Sequence, residues 1–176
     1  IISFDQSFPI FADKQAISNT FRATKYKSIT NDVVGAGKLY LSAINGIGED
    51  DVRISKRKGL STRRLRGFER NKVGPVDGSD HIGGNYVTAL NFEANLPNLL
   101  PEAYKTDVGL FLDFGNVWGV DYDSSLDDSN KIRSSTGIAA SWLSPIGPLS
   151  FVFSTNLSKA DTDVTQSFNF NLGTTF

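Results

Sequence analysis

The chain has 176 residues, with 18 Lys+Arg against 19 Asp+Glu, one histidine, and no cysteine or methionine. Lack of cysteine excludes disulfides, thiol catalysis and thiolate metal centres, and the lone His81 excludes a multi-histidine cluster. Balanced charge names no partner, and without a run of about 18 apolar residues a membrane-crossing helix is excluded, so membrane residence would require a β-barrel.

The start lacks the basic and apolar regions of a signal peptide, and Ile1 already lies inside a strand-like pattern, so the chain reads as a segment cut from something longer. Ile2, Phe4, Phe8 and Ile10 mark a first strand. Ile17, Phe21 and Ala23 mark a second from about Ala16 to Ile29, and Leu39 and Leu41 a third from about Val33 to Asn45. A long polar stretch, Gly46 to Ile82, follows.

Beyond it the period of two sharpens. From Tyr86 to Leu96 the even positions Tyr86, Leu90, Phe92, Ala94 and Leu96 oppose Asn91, Glu93 and Asn95. From Thr106 to Trp118, Val108, Leu110, Leu112 and Phe114 oppose Asp107, Gly109, Asp113 and Gly115. Ile132, Ile138, Ala140 and Trp142 then oppose Arg133, Ser135, Gly137 and Ser141, and Leu149, Phe151, Phe153 and Leu157 oppose Ser150, Ser154, Asn156 and Ser158. In the closing stretch, 165–176, Phe168, Phe170, Leu172 and Phe176 alternate with Asn169, Asn171, Gly173 and Thr175. The pattern therefore predicts an all-β chain of about eight strands.

The turns at Pro97 to Tyr104 and Ser144 to Pro148 are short or proline-bearing, whereas Gly46 to Ile82, Asp121 to Asn130 and Lys159 to Val164 are polar loops. Short turns on one side, long loops on the other and strands of about ten residues are the layout of an outer-membrane barrel, with Trp118, Trp142 and Phe176 placed for interfacial girdles. A soluble β-sandwich or lipocalin-like barrel shares the alternation, which does not by itself say which face is outside. Glycine, serine, asparagine and isolated charges on the polar face favour a watery lumen.

Nine of the 18 basic residues lie between Arg53 and Lys72. Such a concentration fits anionic headgroups, nucleic acid or a loop pinned by ion pairs, and no zinc-finger, RRM or basic-helix pattern accompanies it, so nucleic acid is not expected. A loop of this length is usually functional. Gly67 permits a sharp turn that aims Arg66 and Phe68, while the remaining charge reads as solvated. Two lone carboxylates, Glu93 and Asp113, sit on the polar faces; facing lipid, either would cost about 2–4 kcal/mol near the midplane, so both should face inward in a barrel.

Other motifs fail. VVGAGKLY lacks the first glycine and final Ser/Thr of a P-loop, and DYDSSLDDSNKI carries Leu126 for the turn glycine and Ile132 for the closing glutamate of an EF-hand. His81 has no GxSxG or cysteine partner and reads as a solvated loop residue. No catalytic residue, cofactor or metal is expected; a hydrolase would require Glu93 and Asp113 in a closed pocket away from Arg66.

LRGFE with the following Val73 to Pro75, then IGGNYVTALNFEANLP, FLDFGNVW, KIRSSTGIAASWLSPIGPLSFVF and QSFNFNLGTTF occur together and in order. Over roughly residues 46 to 176 the chain thereby resembles the BamA family of outer-membrane assembly factors, also called the bacterial surface antigen family. Leu65, where that family often has valine, is a mild departure. The resemblance implies that residues 1–176 form the last eight strands of a sixteen-stranded transmembrane barrel in the bacterial outer membrane, without the POTRA modules that precede it.

It also implies that the loop of about residues 46–82 is extracellular and folds back into the lumen, where Arg66 of the Arg66-Gly67-Phe68 tip meets Glu93 and Asp113. The implied function is insertion of nascent outer-membrane proteins at a barrel seam whose last strand is about 165–176, with Phe168, Phe170, Leu172 and Phe176 as a terminal-strand signal. Assembly-complex lipoproteins and outer-membrane lipid are the other implied partners. A polypeptide-secretion transporter of the same superfamily and a passive porin-like channel are the alternatives.

Overall fold

The alternating stretches become strands because two faces of each are chemically unlike and only a sheet separates them. The computed structural model describes residues 1–8, 15–48, 50–126, 130–145 and 147–173. Its strands are β1 (Ile2–Ser7), β2 (Ala16–Thr30), β3 (Val33–Gly46), β4 (Val76–Asp77), β5 (Asp80–His81), β6 (Tyr86–Leu96), β7 (Thr106–Trp118), β8 (Arg133–Ser144), β9 (Gly147–Ser158) and β10 (Phe168–Leu172). Eight of these make one antiparallel sheet in the order β1-β2-β3-β6-β7-β8-β9-β10, while β4 and β5 pair with each other inside the long loop. The all-β meander expected from the sequence is present, and β1 and β10 stand at opposite ends of the strand order.

Strands of about a dozen residues, rising ~3.4 Å each and tilted about 45°, cross roughly 29 Å, the thickness of a bilayer's hydrocarbon core. Register places the faces. Ala94 pairs with Leu110, Leu110 with Ile138, Ile138 with Phe153 and Phe153 with Phe168, forming one outward row across five strands. Leu110, Ile138, Phe153 and Phe168 in that row are all about half exposed. A band of exposed apolar side chains this continuous marks a surface that meets lipid.

The inward row is polar. Lys38 pairs with Asn91, Asn91 with Asp113, Asp113 with Ser135 and Ser135 with Asn156. The Ser135 and Asn156 pair belongs to the unbroken ladder that runs to Ser144 and Gly147, and the register shifts only beyond it, between Ser134 and Ser135.

Several boundaries differ from the sequence pattern. Phe8 lies past the end of β1, and Ile10 and Phe176 lie outside the described residues. Ile132 precedes β8, and among the described residues the ladder of β10 to β9 covers Phe168–Leu172, starting later than the alternating stretch because the chain ahead of it is drawn away to another partner.

The buried apolar cluster lies on the inner face. Leu60, Leu65, Phe68 and Val73 of the long loop pack on Val87 and Ala89 of β6 and Val117 of β7. A Cβ on Gly115 would stand 2.9 Å from Leu60 Cδ1, so a glycine there lets the loop leucine reach the wall. The loop is thus a plug with its own core, and the sheet's amphipathic pattern alone left Val87, Ala89 and Val117 unexplained.

Candidate functional site

Gly67 turns the loop tip with φ +87°, a conformation that disfavours any Cβ, and one added there would also crowd Ser135 and Asn156. The turn points Arg66 at β7. Its Nε and Nη2 donate to Asp113 at 2.7 and 2.6 Å, its backbone N–H donates to the same carboxylate at 3.1 Å, and Nη1 lies 3.0 Å from Glu93. The Asp113 side chain has no solvent exposure, and Asn91 Nδ2 supplies a further donor at 2.8 Å. Phe111 lies under the guanidinium, 3.8 Å from ring centre to Cζ. A two-pronged, charge-assisted contact of this kind fixes orientation as well as distance.

The inward polar row is the floor of this site. Ser135 Oγ donates to the Arg66 carbonyl, Asn156 Nδ2 to the Gly67 carbonyl at 2.9 Å, and Asn91 Nδ2 to the Arg64 carbonyl at 2.9 Å. Phe68 is 1% exposed within the apolar cluster. The structure therefore brings Arg66, Gly67, Phe68, Glu93 and Asp113 together. Lys38, which bridges Glu93 at 2.6 Å, and the floor residues Asn91, Ser135 and Asn156 were missed from sequence. They become identifiable only when register is counted across the sheet.

The basic cluster is less solvated than expected. Arg64 stacks on Tyr40 at 3.5 Å, Lys58 Nζ donates to Ser18 at 2.6 Å, and the nearly inaccessible Arg57 pairs with Asp121 at 2.5 Å. His81, read as solvated, sets Nε2 3.0 Å from the Thr162 carbonyl oxygen. Glu93 and Asp113 do not line a closed pocket away from Arg66: Glu93 and Arg66 border an open basin of about 880 Å³, and Asp113 is buried beneath the Arg66 guanidinium.

Asp121 ties the base of the loop to the chain after β7. Burial alone would raise its carboxyl, but hydrogen bonds from the Val52 N–H and Asn85, with the Arg57 charge beside it, hold it below the usual carboxylate value. The stabilisation from a depressed carboxylate is full above its unfolded pKa of about 3.9 and is lost as pH falls through the folded value. Acidification below about pH 4 should therefore release the loop base, read as faster amide exchange at Val52 relative to β6. In Asp121→Asn that extra acid sensitivity should vanish, and its persistence would show that another group controls the base.

A second ionic centre lies above the tip. Arg133, opening β8, gives Nε and Nη2 to the two oxygens of Asp163 at 2.9 Å each, and neither side chain has any solvent exposure. Its Nη1 donates to Asn116 Oδ1 at 2.6 Å and to the Lys131 carbonyl at 3.0 Å. In the sequence Arg133 read only as one more residue of the polar face.

An apolar outer band, a polar inner row and a long loop packed inside define a segment of a transmembrane β-barrel. The chain belongs to the Omp85 superfamily, whose domain model matches residues 2–176. It is 31% identical over 141 residues to the outer membrane protein assembly factor BamA of Neisseria meningitidis serogroup B, covering 64% of this chain and 17% of that protein. It is 26% identical over 176 residues to BamA of Neorickettsia risticii, covering 95% of this chain and 23% of that one. The crystal structure of Haemophilus ducreyi BamA lacking POTRA domains 1–3 superposes with a TM-score of 0.76 at 25% identity, over 89% of this chain and 34% of that chain. The chain thus spans about a fifth of the length of the curated relatives it matches. These relatives and the barrel neighbour place it in the bacterial outer membrane.

Proposed function

We propose that residues 1–176 form the C-terminal half of an assembly-factor barrel that inserts nascent outer-membrane β-barrel proteins without covalent chemistry. The observation carrying this reading is β10, an end strand held to β9 by the five pairs from Phe168↔Phe153 to Leu172↔Leu149 and given no second neighbour in the strand order among the described residues. An end strand offers backbone N–H and C=O groups to an incoming strand, which exchanges hydrogen bonds with it by β-augmentation. Phe168, Phe170 and Leu172 present an exposed apolar row along it, as a terminal-strand signal requires; Phe176, the fourth residue of that signal, lies outside the described residues.

Arg66, Gly67 and Phe68 act in this reading as a latch on Glu93 and Asp113 that keeps the lumen plugged while the seam exchanges partners. Nascent outer-membrane proteins are the clients, with assembly-complex lipoproteins and outer-membrane lipid as the surrounding partners. The test places a photo-crosslinking residue at Asn169 on β10, and separately at Leu112 on β7, in the full-length protein during assembly of a client. Client adducts are expected at Asn169 and not at Leu112. Equal labelling at both positions would remove strand templating at the seam.

A further inference from the structure

Between β9 and β10 the chain does not stay on the sheet. Ser154 N–H reaches the Ser167 carbonyl at 2.8 Å, one pair beyond the ladder, and the segment before it then pairs with the luminal loop. Phe68 and Thr165 form an antiparallel bridge, with Glu69 N–H on the Val164 carbonyl at 2.9 Å and Gln166 N–H on the Gly67 carbonyl at 3.0 Å. Val164 N–H adds a bond to the Lys72 carbonyl at 3.1 Å. The loop tip is therefore a short strand partner for the residues that lead into β10.

The Arg133 and Asp163 pair stands immediately before this bridge. Asp163 Oδ2 also accepts the Ala160 N–H at 2.6 Å, so one carboxylate closes the turn and anchors it to the start of β8. A buried ion pair is an uncertain source of stability, because desolvation offsets the attraction, but its two-pronged geometry sets position well. Without it, the residues ahead of β10 have an alternative partner, the edge of β9 above Phe153, where Thr155, Asn156 and Ser158 pair only with β8 among the described residues.

We infer that Arg133, acting through Asp163, is a positioning residue for the seam: it commits residues 164–166 to the loop tip, and so sets where β10 begins and which register it offers to a client. This inference rests on the seam reading. A slip by one residue would turn every side chain of β10 to the other face, so register slips of two residues are the ones an unpinned strand would sample.

The experiment uses the full-length protein carrying Asn171→Cys on β10, and a small unfolded outer-membrane barrel protein with a single cysteine stepped along its terminal strand. Disulfide yield then reads client register. With Arg133 intact, one client position should dominate. Arg133→Lys keeps the charge and loses the planar fork. It should cut that yield several-fold, spread it to client positions two residues away, and quicken amide exchange over residues 164–172 roughly tenfold while β6 and β7 keep their protection. Asp163→Asn, nearly equal in size, should do the same and serves where the lysine variant does not fold.

An unchanged register in a folded variant overturns the inference. So does faster exchange spread through β6 and β7, which is the signature of a pair that only stabilises the wall. If no disulfide forms even with Arg133 intact, the seam reading itself falls, and this inference with it.

Discussion

Replacing Arg66 by alanine should destabilise the full-length protein by about 3–5 kcal/mol, because Asp113 would be left fully buried without its ion-pair partner and short of its main donors. The measurement is the urea-unfolding midpoint in lipid vesicles, alongside client assembly. Lys58→Ala is the matched control: it removes one hydrogen bond, to Ser18, and should cost about 0.5–1.5 kcal/mol. Adding Asp113→Asn to Arg66→Ala removes the orphaned charge and should recover part of the loss, a coupling that two independent surface effects would not show. Equal small shifts for Arg66→Ala and Lys58→Ala would end the latch reading.

The second large effect concerns the outer face. Leu110 is 49% exposed in the outward row and pairs with Ala94 and Ile138, so Leu110→Lys sets a charge against lipid and should cost about 2–4 kcal/mol near the midplane. Ser141→Lys is the opposite case. Ser141 pairs with Asp107 and both border the inner basin, so a lysine there meets water and a carboxylate, and the change should stay within about 0.5 kcal/mol. Unfolding in vesicles against unfolding in detergent separates the two, since the cost of Leu110→Lys arises from the bilayer. Similar costs for both substitutions would mean that the faces have been assigned the wrong way round.

Much of the wall was legible in the sequence. β6 and β7 have the same bounds as the Tyr86 to Leu96 and Thr106 to Trp118 alternation, since a strand between lipid and water changes character from one residue to the next except where the loop covers Val87, Ala89 and Val117. Arg66, Glu93 and Asp113 were legible as exceptions: a lone carboxylate on an alternating strand and an arginine beside a turn glycine each need a partner. The loop was read less well. Leu60, Leu65, Phe68 and Val73 are spaced without period, because a plug takes its shape from the cavity it fills, and Arg57, Arg64 and Lys58 looked solvated because their partners Asp121, Tyr40 and Ser18 lie far away along the chain.

The amino-acid sequence by itself determined the strands, the two faces and the residues whose charge demanded burial with a counter-charge, because these follow from local periodicity and from the cost of an unpaired ion. Tertiary structure alone decided that Asn91, Asp113, Ser135 and Asn156 form one floor and that Arg133 meets Asp163. It alone decided, too, that Phe68 takes Thr165 as its strand neighbour. Those contacts depend on register between strands and on the path of a long loop, and chain periodicity carries no record of what lies opposite.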